Sequence, residues 1–145
     1  MCFTVYIATN KVLPLGSFVP EETDIFLEQL TEEEERSLRP KFSKPNIYHV
    51  GSDTGCSCGL SFDSNLFDDP EYEKEKKSPA RFIELLKELT ATEEVEYYCC
   101  WFGDWALPVE QSREIDIRQI SLDKNYFDLT EKEFIKFTSQ FVITR

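Results

Sequence analysis

The sequence predicts a single α+β domain, with a mostly antiparallel sheet and helices packed on one face. Three observations carry this expectation. Short runs rich in β-branched and aromatic residues recur between turn-forming residues. Segments with helix-start signals alternate with those runs rather than forming one helical block. The 145 residues, 41% hydrophobic and 14% aromatic, suit one core and show no internal repeat, so residues 1–145 are read as one unit.

In chain order, residues 2–8, Cys-Phe-Thr-Val-Tyr-Ile-Ala, read as a buried or half-buried strand. A loop punctuated by Pro14, Gly16 and Pro20 leads to a second strand over residues 24–30. Thr31-Glu32-Glu33-Glu34 matches a capping box, in which the threonine hydroxyl and the third-position glutamate satisfy free amides at a helix start. That helix must stop near Arg39, because Pro40 disfavours helical geometry in the residue before it. Residues 46–50 and 58–62 read as two strands of a hairpin joined by residues 51–55.

Residues 63–77 form a long polar loop, either mobile or a functional lid. Ser78-Pro79 predicts a helix start with serine as N-cap, followed by the stripe Phe82, Leu85, Leu86 and Leu89. Residues 95–102 read as a central strand, and residues 115–122 as another with a bulge between Ile117 and Ile120. Leu129-Thr130-Glu131-Lys132-Glu133-Phe134 combines a capping box with a hydrophobic staple and predicts a closing helix carrying Phe134, Ile135, Phe137 and Phe141.

The net charge of -12, from 28 acidic against 16 basic residues, repels nucleic acid and favours a basic partner. Eight carboxylates crowd residues 21–35 without a positive charge among them. No stretch approaches the ~20 apolar residues of a membrane helix, and no secretory signal opens the chain, so a cytoplasmic protein is expected. Five cysteines, two of them adjacent, do not form a disulfide framework and are expected as thiols or metal ligands.

The densest feature is Gly51-Ser52-Asp53-Thr54-Gly55-Cys56-Ser57-Cys58-Gly59. It holds three of the 5 glycines and two of the 5 cysteines, just after the single histidine, His49. Thiolate and imidazole are zinc ligands, so His49, Cys56, Cys58 and Cys99 form one candidate metal set. Cys99 and Cys100 point to opposite sides of their strand, so only one of them can join. Alternatively Cys56 or Cys58 is a nucleophile with His49 as base and Asp53 orienting it. Cys2 would become an N-terminal nucleophile if Met1 were removed, against its simpler reading as a strand residue. Against all of these stands plain packing, with Cys56 and Cys58 continuing the Leu60 and Phe62 face and Cys99 joining Val95, Tyr97 and Trp101. Trp105, after Gly103 at a strand end, is a candidate binding anchor.

The opening Met1-Cys2 before a hydrophobic strand, together with Phe42-Ser43-Lys44-Pro45 and the Gly51 to Gly59 segment, resembles a group of small bacterial proteins with no assigned activity. The resemblance implies a bacterial, single-domain protein and carries over no site residues. Two function classes are therefore expected. The first is a non-enzymatic binding or inhibitory protein, like those that neutralise nuclease toxins, using its acidic surface to hold a basic protein. The second is a cysteine-centred site, zinc-binding or thiol-reactive, built on His49, Cys56 and Cys58. No complete catalytic constellation is legible, which favours the non-enzymatic class.

Overall fold

The structure, a computed structural model, describes residues 2–139. Among the described residues, six strands and two α-helices follow one another as β1 (Phe3–Thr9), β2 (Ile25–Gln29), α1 (Glu32–Leu38), β3 (Asn46–Ser52), α2 (Lys77–Thr90), β4 (Val95–Trp101), β5 (Gln111–Asp116) and β6 (Glu133–Thr138). The strands make one sheet in the order β2-β3-β1-β4-β6-β5. All neighbours are antiparallel except β5 and β6. The fold is thus α+β with a mostly antiparallel sheet, as the residue patterns predict.

The central strands β1 and β4 are buried on both faces, which is why they read as continuous apolar runs rather than as alternations. Val5, Ile7, Tyr97 and Cys99, joined by Ile135 and Phe137 of β6, face the α2 stripe of Phe82, Leu86 and Leu89. Tyr6, Ala8, Tyr98 and Cys100 face the other way, onto Leu38 of α1, Phe42 and Trp105. The long helix therefore covers one face and the short α1 lies across the opposite one, so the helices do not share one face as expected. β1 and β4 carry apolar side chains on both sides, and each side needs a cover.

The capping box forms as predicted. The Glu34 amide donates to Thr31 Oγ1 at 3.2 Å, and the Thr31 amide donates to Glu34 Oε1 at 2.8 Å. The second Glu34 oxygen accepts the Tyr6 hydroxyl at 2.5 Å, so the cap also ties α1 to the sheet. Burial, and then this bond to Glu34, push the Tyr6 hydroxyl far above its ordinary pKa.

Four local expectations are corrected. Residues 58–62 form no strand: Ser57–Leu60 is a 3₁₀ turn, and β3 pairs with β1 and β2 instead of making a hairpin. Ser78 lies inside α2 rather than capping it, and its Oγ donates to the Asp24 carbonyl at 2.6 Å while accepting the Asp53 amide at 2.9 Å. The strand expected over 115–122 runs instead over Gln111–Asp116. It ends where the Asp116 side chain caps a 3₁₀ turn, Ile117–Gln119, and that turn places both Ile117 and Ile120 in the core.

The predicted closing helix is β6 over its described part, and Phe141 lies outside the described residues. Phe134 packs 6.0 Å from Phe42, ring centre to ring centre, while Ile135 and Phe137 join the opposite core. That is a period of two. A gap between β4 and β5 supplies backbone partners on both sides, and this outweighs the local helix signal. Residues 63–77 contain 3₁₀ turns at Ser64–Leu66, Pro70–Tyr72 and Lys74–Lys76, the first two capped by Asp63 and Asp69. No helix among the described residues is long and apolar enough to cross a membrane.

Candidate metal centre

The site arises where two strands part. β1 and β3 stay paired from Thr9–Asn46 to Val5–Val50, after which Gly51 and Ser52 pair only with β2. The 3₁₀ turn Ser57–Leu60 fills the wedge this leaves. Side chains replace the missing strand partner: Phe3 N–H donates to Cys58 Sγ at 3.3 Å, and Val5 N–H donates to Ser57 Oγ at 2.9 Å. The Ser57 hydroxyl in turn donates to the Val50 carbonyl at 2.5 Å, so one buried serine bridges both strands.

The glycine-rich segment makes this wedge possible. Gly55 takes φ +88, the left-handed conformation that glycine adopts without steric cost, and so reverses the chain toward Cys56. At Gly59 a Cβ would collide with the Ser52 side chain. Ser52 Oγ accepts the amides of Thr54 and Gly59 and donates to the Cys56 carbonyl, closing the turn on itself.

Cys56 and Cys58 are thereby brought beside Cys2, the residue before β1. The three sulfur atoms all lie within 4.8 Å of one another. Cys2 is exposed and the other two are half-buried. Cys2 and Cys56 open onto a groove of about 1190 Å³ whose walls include Glu28, His49 and Phe102. Cys58 opens onto a smaller groove, of about 440 Å³, on the other side with Phe3, Phe62 and Trp101.

The thiols differ electrostatically. Burial opposes the Cys56 thiolate, but hydrogen bonds from the Thr54 hydroxyl, the Cys58 amide and the thiols of Cys2 and Cys58 outweigh it and hold its pKa below the ordinary thiol value. Burial pushes Cys58 up to about 11, against the opposing Phe3 amide. Cys56 is therefore expected to be alkylated first in the native protein. Its rate should fall away only at a pH below the midpoint of an ordinary thiol, because a lowered pKa keeps the thiolate populated further into acid. Iodoacetamide labelling followed by peptide mapping across pH checks this, and a midpoint at or above ~8.5 contradicts it.

The other expected ligands stand apart from the sulfur cluster. His49 has Nδ1 2.9 Å from Glu28 Oε1 and Nε2 3.3 Å from Ser57 Oγ. It falls outside the group of ligand atoms lying within 4.8 Å of one another. Glu28 rather than Asp53 holds its ring, so the proposed Asp53–His49–cysteine relay does not form. Glu28, His49 and Ser57 make the contacts of a hydrolytic triad, carboxylate to Nδ1 and Nε2 to hydroxyl, but the hydroxyl is not free to act as a nucleophile. Ser57 is fully buried, and its proton is committed to the Val50 carbonyl rather than to the imidazole.

Cys99 is corrected likewise. It is fully buried in the core against α2, where that burial drives its pKa far up, and it lies outside the group of three converging sulfurs. Asp53 serves the turn through its backbone amide, which donates to Ser78. Trp105 is only 7% exposed, and the ring turned outward is Phe102, 63% exposed and packed edge-on against it at 5.1 Å. Cys2 enters the cluster and Ser57 holds it together, roles that no local sequence signal marks. Only the pairing of residue 2 with the segment after β3 reveals them. No protein-family model, no curated protein and no solved structure matches this chain.

Proposed function

We propose that the protein is a thiolate metal-binding protein that holds zinc through Cys2, Cys56 and Cys58. The observation that carries this is the convergence of three sulfur atoms from two distant segments within 4.8 Å. Zn–S bonds of ~2.3 Å in a tetrahedron place sulfurs ~3.8 Å apart, so the thiols need to close by only about an ångström. Thiolate is the soft donor that zinc prefers, and hydrogen bonding to the Cys56 sulfur favours the charged form that binds metal. Three protein ligands leave a fourth position for water or a ligand entering from the groove.

The acidic stretch is committed in part to contacts within the chain rather than left whole for a basic partner. Asp24, Glu28, Glu34 and Glu35, half of the eight carboxylates in residues 21–35, are already engaged with Lys77, His49, Tyr6 and Arg39. Elemental analysis of protein purified without chelator is expected to find one zinc per chain. Cobalt substitution is expected to give the intense near-ultraviolet band of thiolate-to-metal charge transfer. Protein that carries no zinc and shows no such band with cobalt sinks the proposal.

A further inference from the structure

We infer that Cys56 is a site of oxidation by hydroperoxides and that Cys2 resolves it as a disulfide, which would eject the metal proposed above. The inference rests on that metal reading only for its consequence; the thiol chemistry follows from the cluster itself. Cys2 and Cys56 share the large groove, so one small oxidant reaches both, whereas Cys58 faces the other groove. Cys58 also meets the Cys56 sulfur, but its own sulfur accepts the Phe3 amide at 3.3 Å, and re-aiming it into a disulfide weakens that bond. Cys2 carries no such duty through its sulfur, and its backbone is held at the carbonyl by the Phe102 amide, at 2.8 Å. Cys99 and Cys100 are fully buried and stay out of the reaction.

The chemistry balances with a hydroperoxide as the oxidant. The Cys56 thiolate attacks the terminal peroxide oxygen and the O–O bond breaks, leaving a sulfenic acid and an alkoxide that takes up a proton to leave as an alcohol. The Cys2 thiol then attacks the sulfenic sulfur and displaces hydroxide, which leaves as water with the Cys2 proton. Two thiols lose two electrons, the peroxide gains them, and the products are one disulfide, one alcohol and one water. With hydrogen peroxide as the probe, both products are water.

Titration of the purified protein with one equivalent of hydrogen peroxide, followed by alkylation and peptide mapping, tests this. The expected result is a Cys2–Cys56 disulfide within one chain, Cys58 still alkylated, and any zinc released to a chromogenic chelator in step. Cys58→Ala is expected to form the same disulfide, and Cys2→Ser to leave a sulfenic acid at Cys56 that dimedone traps. A Cys56–Cys58 disulfide, a disulfide between chains, or thiols that survive the equivalent of peroxide would each overturn the inference. Zinc content before oxidation reports separately on the metal reading: a zinc-free protein that still forms the Cys2–Cys56 bond removes the metal and keeps the redox site.

Discussion

Replacing Cys56 with serine is expected to weaken zinc binding by at least ~100-fold, beyond the 10–100-fold typical of losing an outer-shell partner. Cys56 is the middle of the cluster: both other thiols hydrogen-bond toward its sulfur, as do the Thr54 hydroxyl and the Cys58 amide. Serine keeps the shape of the turn but offers a hard oxygen that stays protonated near neutral pH, so a charged soft donor is lost with little else disturbed. Competition against a zinc chelator of known affinity measures the change. Cys99→Ser provides the contrast, since that sulfur is sealed in the core and its loss should leave zinc affinity untouched while lowering stability. A Cys56→Ser protein that binds zinc as tightly as the parent would show that the sulfurs merely pack together.

Ser57→Ala is expected to cost about 2–4 kcal/mol of folding stability, large against the ~5–15 kcal/mol that holds most domains together. The Ser57 hydroxyl is the acceptor for the Val5 amide and the donor to the Val50 carbonyl at a point where no water reaches. Removing one oxygen leaves two buried backbone groups unmatched, each worth roughly 1–3 kcal/mol. The same change unseats the turn that presents Cys56 and Cys58, so zinc affinity should fall although every proposed ligand remains in place. Urea unfolding read by tyrosine and tryptophan fluorescence gives the stability difference. A loss under ~0.5 kcal/mol would mean that the wedge is held by other contacts.

How far the site could be read in advance depends on which of its bonds are local. The turn chemistry of Gly55 and Gly59 and the two cysteines between them stand in one short segment, and their concentration marks the place correctly. What the segment alone cannot show is its partner. His49 lies nearest in sequence, yet on β3 its Nδ1 faces Glu28 across the pairing with β2 and its Nε2 faces Ser57, so its nitrogens fall outside the group of three sulfurs. Cys2 is far away in sequence, but it comes alongside because β1 is the central neighbour of β3. The hairpin expected over residues 46–62 fails because residues 57–60 wind into a 3₁₀ turn, and β3 takes β1 and β2 as its partners instead.

The residues themselves determined that this chain folds as one α+β domain with β1 a buried strand and β4 a central one. Those properties follow from apolar runs and cap residues whose interactions lie within a few positions. Tertiary structure alone decided that residues 133–138 become a strand, because a vacant place between β4 and β5 supplied backbone partners on both sides. It also decided that Cys2 rather than His49 or Cys99 meets Cys56 and Cys58, because long-range strand order, not spacing along the chain, sets which side chains share a wedge.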